Sequence, residues 1–166
     1  MSAKLPNEIV KVALAEVGVT EVNGTNCGPR VNEYKAATWL PADKGWPWCA
    51  AFCCWVIQQA MKNAGVKETA TFKRPRTAGA WDFENWSREQ DQSTWTKKPH
   101  KNDIEAGDIV IFTFSHIGVA IGKPDVNGFV MVCEGNTDSA GSREGGAVLR
   151  KKRHVSKIRS RIRFRV

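Results

Sequence analysis

The character of this chain changes at Glu105, and that change limits what it can fold into. Before it, apolar residues recur at helical spacing. Ile9, Val12, Ala13 and Val17 share one face of a helix predicted over 7–17, which Gly18 ends. A second helix is predicted over 30–39. A third covers 50–64, a stretch without Gly or Pro, with Gly65 as its C-terminal stop. Residues 73–98 read as irregular, with one short helix over 77–88. After Glu105 the runs are short and β-rich: 108–112, 116–121, 129–134, 147–152 and 157–166, with Asn127-Gly128 as a hairpin turn. Helices first and consecutive strands afterwards imply an α+β fold, with N-terminal helices packed on a C-terminal antiparallel sheet of about five strands. Nothing repeats and no linker divides the chain, so a single domain over 1–166 is expected.

Composition narrows the function classes. A chain of 166 residues, 42% hydrophobic and 25% charged, can bury an ordinary globular core. No apolar run approaches the roughly 20 residues that span a bilayer. Residues 1–7 lack the apolar stretch of a secretory signal, so synthesis in a bacterial cytoplasm without a signal peptide is expected. The five cysteines are odd in number and lack metal-like spacing, and Cys53 and Cys54 are adjacent. Free thiols are therefore expected, with no metal and no other cofactor. The net charge is +8, with the excess concentrated from Arg150 to Arg165, which calls for an anionic partner. In the last predicted strand Ile158, Ile162, Phe164 and Val166 alternate with Arg159, Arg161, Arg163 and Arg165. This reads as an edge strand whose charges deter pairing. A basic stripe that binds a polyanion is the other reading.

The stretch Gly45-Trp46-Pro47-Trp48-Cys49-Ala50-Ala51-Phe52 places a cysteine where a helix begins, with Pro47 suited to the first turn. A thiol there meets unpaired backbone N–H groups and the positive end of the helix dipole, which favour a thiolate and can hold an oxyanion. Cysteine catalysis also needs a base and a group that orients it. Of three histidines, His100 lies in a lysine-rich loop and His154 in the basic end. His116 starts a predicted strand, a rigid mount for a base, with Gly118 leaving room for a substrate. The run Cys133-Glu134-Gly135-Asn136 offers the orienter: strand alternation puts Glu134 and Asn136 on one face, and either fits. Cys53, Cys54 and Cys133 read as small core hydrophobes. Cys27, in a Gly-rich loop with no helix start evident, is the rival thiol.

Four segments in order, Trp48-Cys49-Ala50-Ala51-Phe52, Ala106-Gly107-Asp108-Ile109-Val110, His116-Ile117-Gly118 and Glu134-Gly135-Asn136, resemble the CHAP branch of the NlpC/P60 cysteine hydrolases over about residues 17–166. The resemblance implies a papain-like fold and cleavage of an amide bond in bacterial peptidoglycan, by an N-acetylmuramoyl-L-alanine amidase or a stem-peptide or cross-bridge endopeptidase. It implies Cys49 as nucleophile, His116 as base, Glu134 as orienter and Asn136 as a further polar member. Trp48, Asn23 and Asn26 are expected at the cleft, though both asparagines equally suit turns. Some relatives carry an Asp-rich calcium loop before the cysteine. Here Ala42-Asp43-Lys44-Gly45 has one carboxylate, too little for six or more oxygen ligands, so no calcium is expected. The expected partner is peptidoglycan, with anionic cell-wall or outer-membrane polymers held by the basic surface, no nucleic acid, and a monomeric protein acting on the wall after release or delivery. A phage lytic enzyme fits this profile, as does a secretion-system effector with the same chemistry. A polyanion-binding module is the reading from another class, but helix-turn-helix, zinc-finger and RNP patterns are absent.

Overall fold

In a computed structural model, which describes residues 4–142 and 145–166, four helices precede a six-stranded antiparallel sheet. The helices are α1 (Lys4–Ala15), α2 (Pro29–Ala36), α3 (Cys49–Ala64) and α4 (Asp82–Arg88). The strands are β1 (Ser93–Lys97), β2 (Ile109–Phe112), β3 (Ile117–Ala120), β4 (Phe129–Thr137), β5 (Ala147–His154) and β6 (Ile158–Phe164), in the spatial order β1-β6-β2-β3-β4-β5. The α+β expectation therefore holds with one strand more than expected. The extra strand is β1, whose Ser-Thr-Trp-Thr-Lys sequence carries almost no apolar signal, yet it pairs with β6 from Ser93↔Phe164 to Lys97↔Ser160.

That pairing overturns the edge-strand reading of β6, which lies between β1 and β2. Its arginines are largely committed within the fold. The Arg159 Nε donates to Glu84 at 2.8 Å, and Arg163 grips both oxygens of the buried Asp108 at 2.8 Å each. Arg161 Nε donates to the Asp103 carbonyl. The edges belong to β1 and β5.

Helix α3 anchors the core. Its residues Phe52, Cys53, Val56, Ile57 and Ala60 are fully buried in the same cluster as Ile109, Ile111, Val119, Cys133 and Ile162 of the sheet. A smaller cluster of Ile104, Val110, Phe112, Ala120, Val130, Val132 and Ile158 forms a second core. Gly65, at φ 71°, closes α3 with its N–H on Lys62 and Met61 carbonyls, as the sequence suggests. The start differs by one detail: Trp48 is the N-cap, so Pro47 precedes the helix instead of occupying its first turn.

Two glycines let the sheet meet α3 and itself closely. A Cβ on Gly135 would lie 2.7 Å from Phe52 Cβ and 2.9 Å from its Cγ. Gly135→Ala is expected to cost about 1–3 kcal/mol, as overpacking does, read as a lower denaturant midpoint at unchanged slope. A Cβ on Gly118 would meet Val132, the Cys133 carbonyl and Glu134 at 2.6–2.8 Å. The space beside Gly118 is thus filled by the neighbouring strand and is not left for a substrate.

Candidate active site

The first turn of α3 is built from behind. Trp48 is fully buried, stacked on Tyr34 at 5.7 Å, and its indole N–H donates to Glu21 at 3.0 Å. The Trp48 carbonyl takes the first helical bond, from Phe52 N–H at 2.9 Å. No side chain caps this turn, so its leading N–H groups remain available around Cys49, which is 7% exposed. Trp48 consequently supports the start of α3 from the core and offers no face to a cleft.

His116 is fully buried at the end of the tight turn joining β2 and β3, where the Phe112 N–H donates to the His116 carbonyl at 3.0 Å. Its ring stacks with Phe112 and Phe114, whose centroids lie 5.8 and 5.9 Å away. The Nε2 atom is 2.9 Å from Glu134 Oε1. Nδ1 meets no partner in full hydrogen-bonding geometry among the described residues, and the Cys49 thiol is the other group acting on the ring. Such contacts are commonly loose before substrate binds. Burial, the largest single influence, pulls the imidazole toward neutrality. Hydrogen bonding and charge from Cys49 and Glu134 outweigh it and raise the pKa from 6.5 to about 9. His116 is therefore an imidazolium at neutral pH.

Glu134 is fully buried in β4 and held from two sides. Arg153 of β5 donates through Nε to Oε2 at 2.7 Å and through Nη2 to Oε1 at 2.5 Å. The same Nη2 donates to the Gly141 carbonyl at 3.1 Å, and the guanidinium lies over Phe112 and Phe114 at 5.1 and 5.3 Å. Burial alone would raise the Glu134 pKa; Arg153 and His116 hold it below the usual carboxylate value. A buried carboxylate between an imidazolium and a guanidinium stays ionised, and its two partners fix where it points.

Asn136 is also fully buried but sits outside regular alternation. A register shift between Glu134 and Thr137 breaks the period of two, and Asn136 takes a left-handed backbone at φ 56°. The hydrogen bond to His116 is made by Glu134. Asn23 and Asn26 likewise have left-handed backbones, at φ 52° and 56°, in an exposed to half-buried loop, which accounts for their residue type.

The remaining thiols divide clearly. Burial raises Cys53 and Cys54 far above the ordinary thiol range and pushes Cys133 up to about 12. Cys54 donates to the Thr77 carbonyl and Cys133 to that of Ala13. Cys27 does precede a helix, α2, contrary to expectation, but no imidazole adjoins it. Its sulfur lies 3.2 Å from Lys35 Nζ, and this lysine is fully buried, donating to the carbonyls of Asn26 at 2.7 Å and Lys44 at 2.5 Å. The ammonium thus ties the loop before α2 to the loop that leads into Trp48 and Cys49. The sequence holds one signal for it, since Val31, Tyr34 and Lys35 fall on a single buried helical face. Arg153 had no comparable signal among Arg150, Lys151 and Lys152.

The His116 shift has a sign that can be tested. Because the folded value lies above 6.5, the stabilisation that the imidazolium supplies is complete below 6.5 and is lost as pH rises through about 9. The thermal midpoint of the wild type is expected to fall from about pH 7 to about pH 10, and by less in His116→Ala.

No protein-family model matches the chain, and no curated protein matches it. Among solved structures, the fold is similar to the crystal structure of a wild type endolysin, LysIME-EF1, with a TM-score of 0.60 and 16% sequence identity over 99% of this chain. The chain spans 65% of the length of that structure, and at this identity the likeness is one of fold.

Proposed function

We propose that this protein is a cysteine hydrolase that cleaves an amide bond of bacterial peptidoglycan. The observation that carries this reading is the buried chain of groups behind Cys49: the His116 imidazolium, the Glu134 carboxylate 2.9 Å from it, and Arg153 beyond. The fold shared with an endolysin supports the choice of substrate. Among the described residues no helix is long and apolar enough to cross a membrane.

In the proposed reaction the Cys49 thiolate attacks the amide carbonyl. The developing oxyanion is held by the uncapped N–H groups at the start of α3. His116, already protonated, gives its Nδ1 proton to the leaving amine, and the amine departs as a thioester forms on Cys49. The neutral imidazole then takes a proton from water, the hydroxide equivalent attacks the thioester, and Cys49 leaves as thiolate with the imidazolium restored. Glu134 keeps Nε2–H engaged throughout, so the same nitrogen faces the thiol in each step. Arg153 acts through Glu134 as a positioning residue.

Incubation with purified peptidoglycan tests this directly. New free lactyl ends on muramic acid identify an amidase and new peptide termini an endopeptidase. Unchanged peptidoglycan at every pH from about 5 to about 9 would sink the proposal.

A further inference from the structure

An open cavity of about 660 Å³ lies away from Cys49, between the end of β1, the turn at Asn127 and the connection from β5 to β6, and neither Cys49, His116 nor Glu134 lines it. Its rim carries four cations, Lys97, Lys98, Lys101 and Arg159, and no carboxylate is among its lining residues. Lys97 and Lys98 are exposed and form no ion pair among the described residues, while Lys101 bridges two walls by donating to the Val126 carbonyl at 2.8 Å. The floor is apolar, with Pro99 and Ile158 buried beneath the charges. Arg159 is matched by Glu84, as the other β6 arginines are by internal acids and carbonyls, so the three lysines are the cations the cavity can offer a ligand.

One backbone feature sharpens the reading. Lys98 holds a left-handed conformation at φ 47°, which Asn or Gly adopts with less strain. Its N–H is fixed there by the Arg159 carbonyl at 2.9 Å. A lysine kept in a position that disfavours it points to a use for its side chain.

We propose that this cavity is a binding site, separate from the catalytic centre, for a phosphodiester-linked polyol or sugar polymer of the bacterial wall. Spaced ammonium groups meet successive phosphates as point charges, and the apolar floor takes the carbon faces of the units between them. The inference rests on peptidoglycan as the substrate, because such polymers would hold the enzyme on the surface it cuts.

The test uses the Cys49→Ala protein, so that binding is measured without cleavage. Sedimentation with purified walls is compared before and after acid removal of phosphodiester polymers, against Lys97→Gln/Lys98→Asn/Lys101→Gln in the same background, with duplex DNA as a further ligand. The expected result is binding to untreated walls at least about 10-fold weaker in the triple variant, with a shallower salt dependence. Stripped walls should bind both proteins equally weakly. Lys98→Asn alone should weaken binding while thermal stability holds or rises, which a purely structural lysine would not do. Equal binding to stripped and untreated walls, no loss in the triple variant, or DNA bound as tightly as untreated walls would each overturn the assignment. Hydrolysis of soluble peptidoglycan fragments by the wild type reports separately on the Cys49 reading.

Discussion

Cys49→Ala is expected to reduce peptidoglycan hydrolysis by at least ~10³-fold while the protein remains folded. In the proposed mechanism the Cys49 sulfur forms the covalent intermediate, and an alanine methyl cannot replace it. The substitution is small, and Cys49 is the least enclosed of the thiols on that helix, at 7% exposure against 0% for Cys53 and Cys54. Its effect on stability should therefore be modest, so loss of activity and loss of fold separate cleanly. The check is a rate of release from labelled peptidoglycan alongside a denaturation curve. Cys27→Ser, by contrast, removes a sulfur that contacts Lys35 and no histidine, so it should leave the rate within a few-fold.

Glu134→Ala is expected to damage both fold and chemistry. It leaves Arg153 without its carboxylate and strips the His116 imidazolium of one of the two partners that keep it charged. Removing one member of a buried ion pair typically costs about 3–5 kcal/mol, and a loss of that size should be visible in chemical denaturation. Glu134→Gln separates the two effects. It keeps the shape and one acceptor oxygen but removes the charge, so stability should fall less. The His116 pKa should drop, because one of the two groups that hold it up loses its charge. The alkaline limb of the activity profile would then move to lower pH. An unchanged alkaline limb in Glu134→Gln would remove Glu134 from the proton chemistry.

These consequences mix what can be read from residue order with what only the fold supplies. The switch at Glu105 is legible because α3 lacks breakers and the later runs are short and β-rich. The same patterning misses β1, since Ser93, Thr94, Thr96 and Lys97 give it no apolar stripe. That omission makes β6 look like an edge and its arginines look unpaired. At the site, the order of Cys49, His116 and Glu134 is visible in the sequence, but the choice between Glu134 and Asn136 is not. The bulge after Glu134 turns Asn136 out of the alternation, and a bulge leaves little trace beyond Gly135. Trp48 is misplaced for a different reason: a tryptophan beside a nucleophile fits a cleft or a core equally well by sequence. Here Tyr34 and Glu21 claim it for the core. Arg153 stays hidden because the pairing of β4 with β5, not spacing along the chain, brings it to Glu134.

The role of Cys49 as the nucleophile paired with His116 is tested most directly by graded alkylation. Protein treated with limiting iodoacetamide at neutral pH is assayed on peptidoglycan, and the label at each of the five cysteines is quantified by peptide mass spectrometry. The expected result is that residual activity falls in direct proportion to modification of Cys49, with Cys53, Cys54 and Cys133 unlabelled and with labelling of Cys27 uncorrelated with rate. His116→Ala should slow the labelling of Cys49 at the same pH, because the ring that would take the thiol proton is gone. Full activity in protein whose Cys49 is completely alkylated would contradict the account.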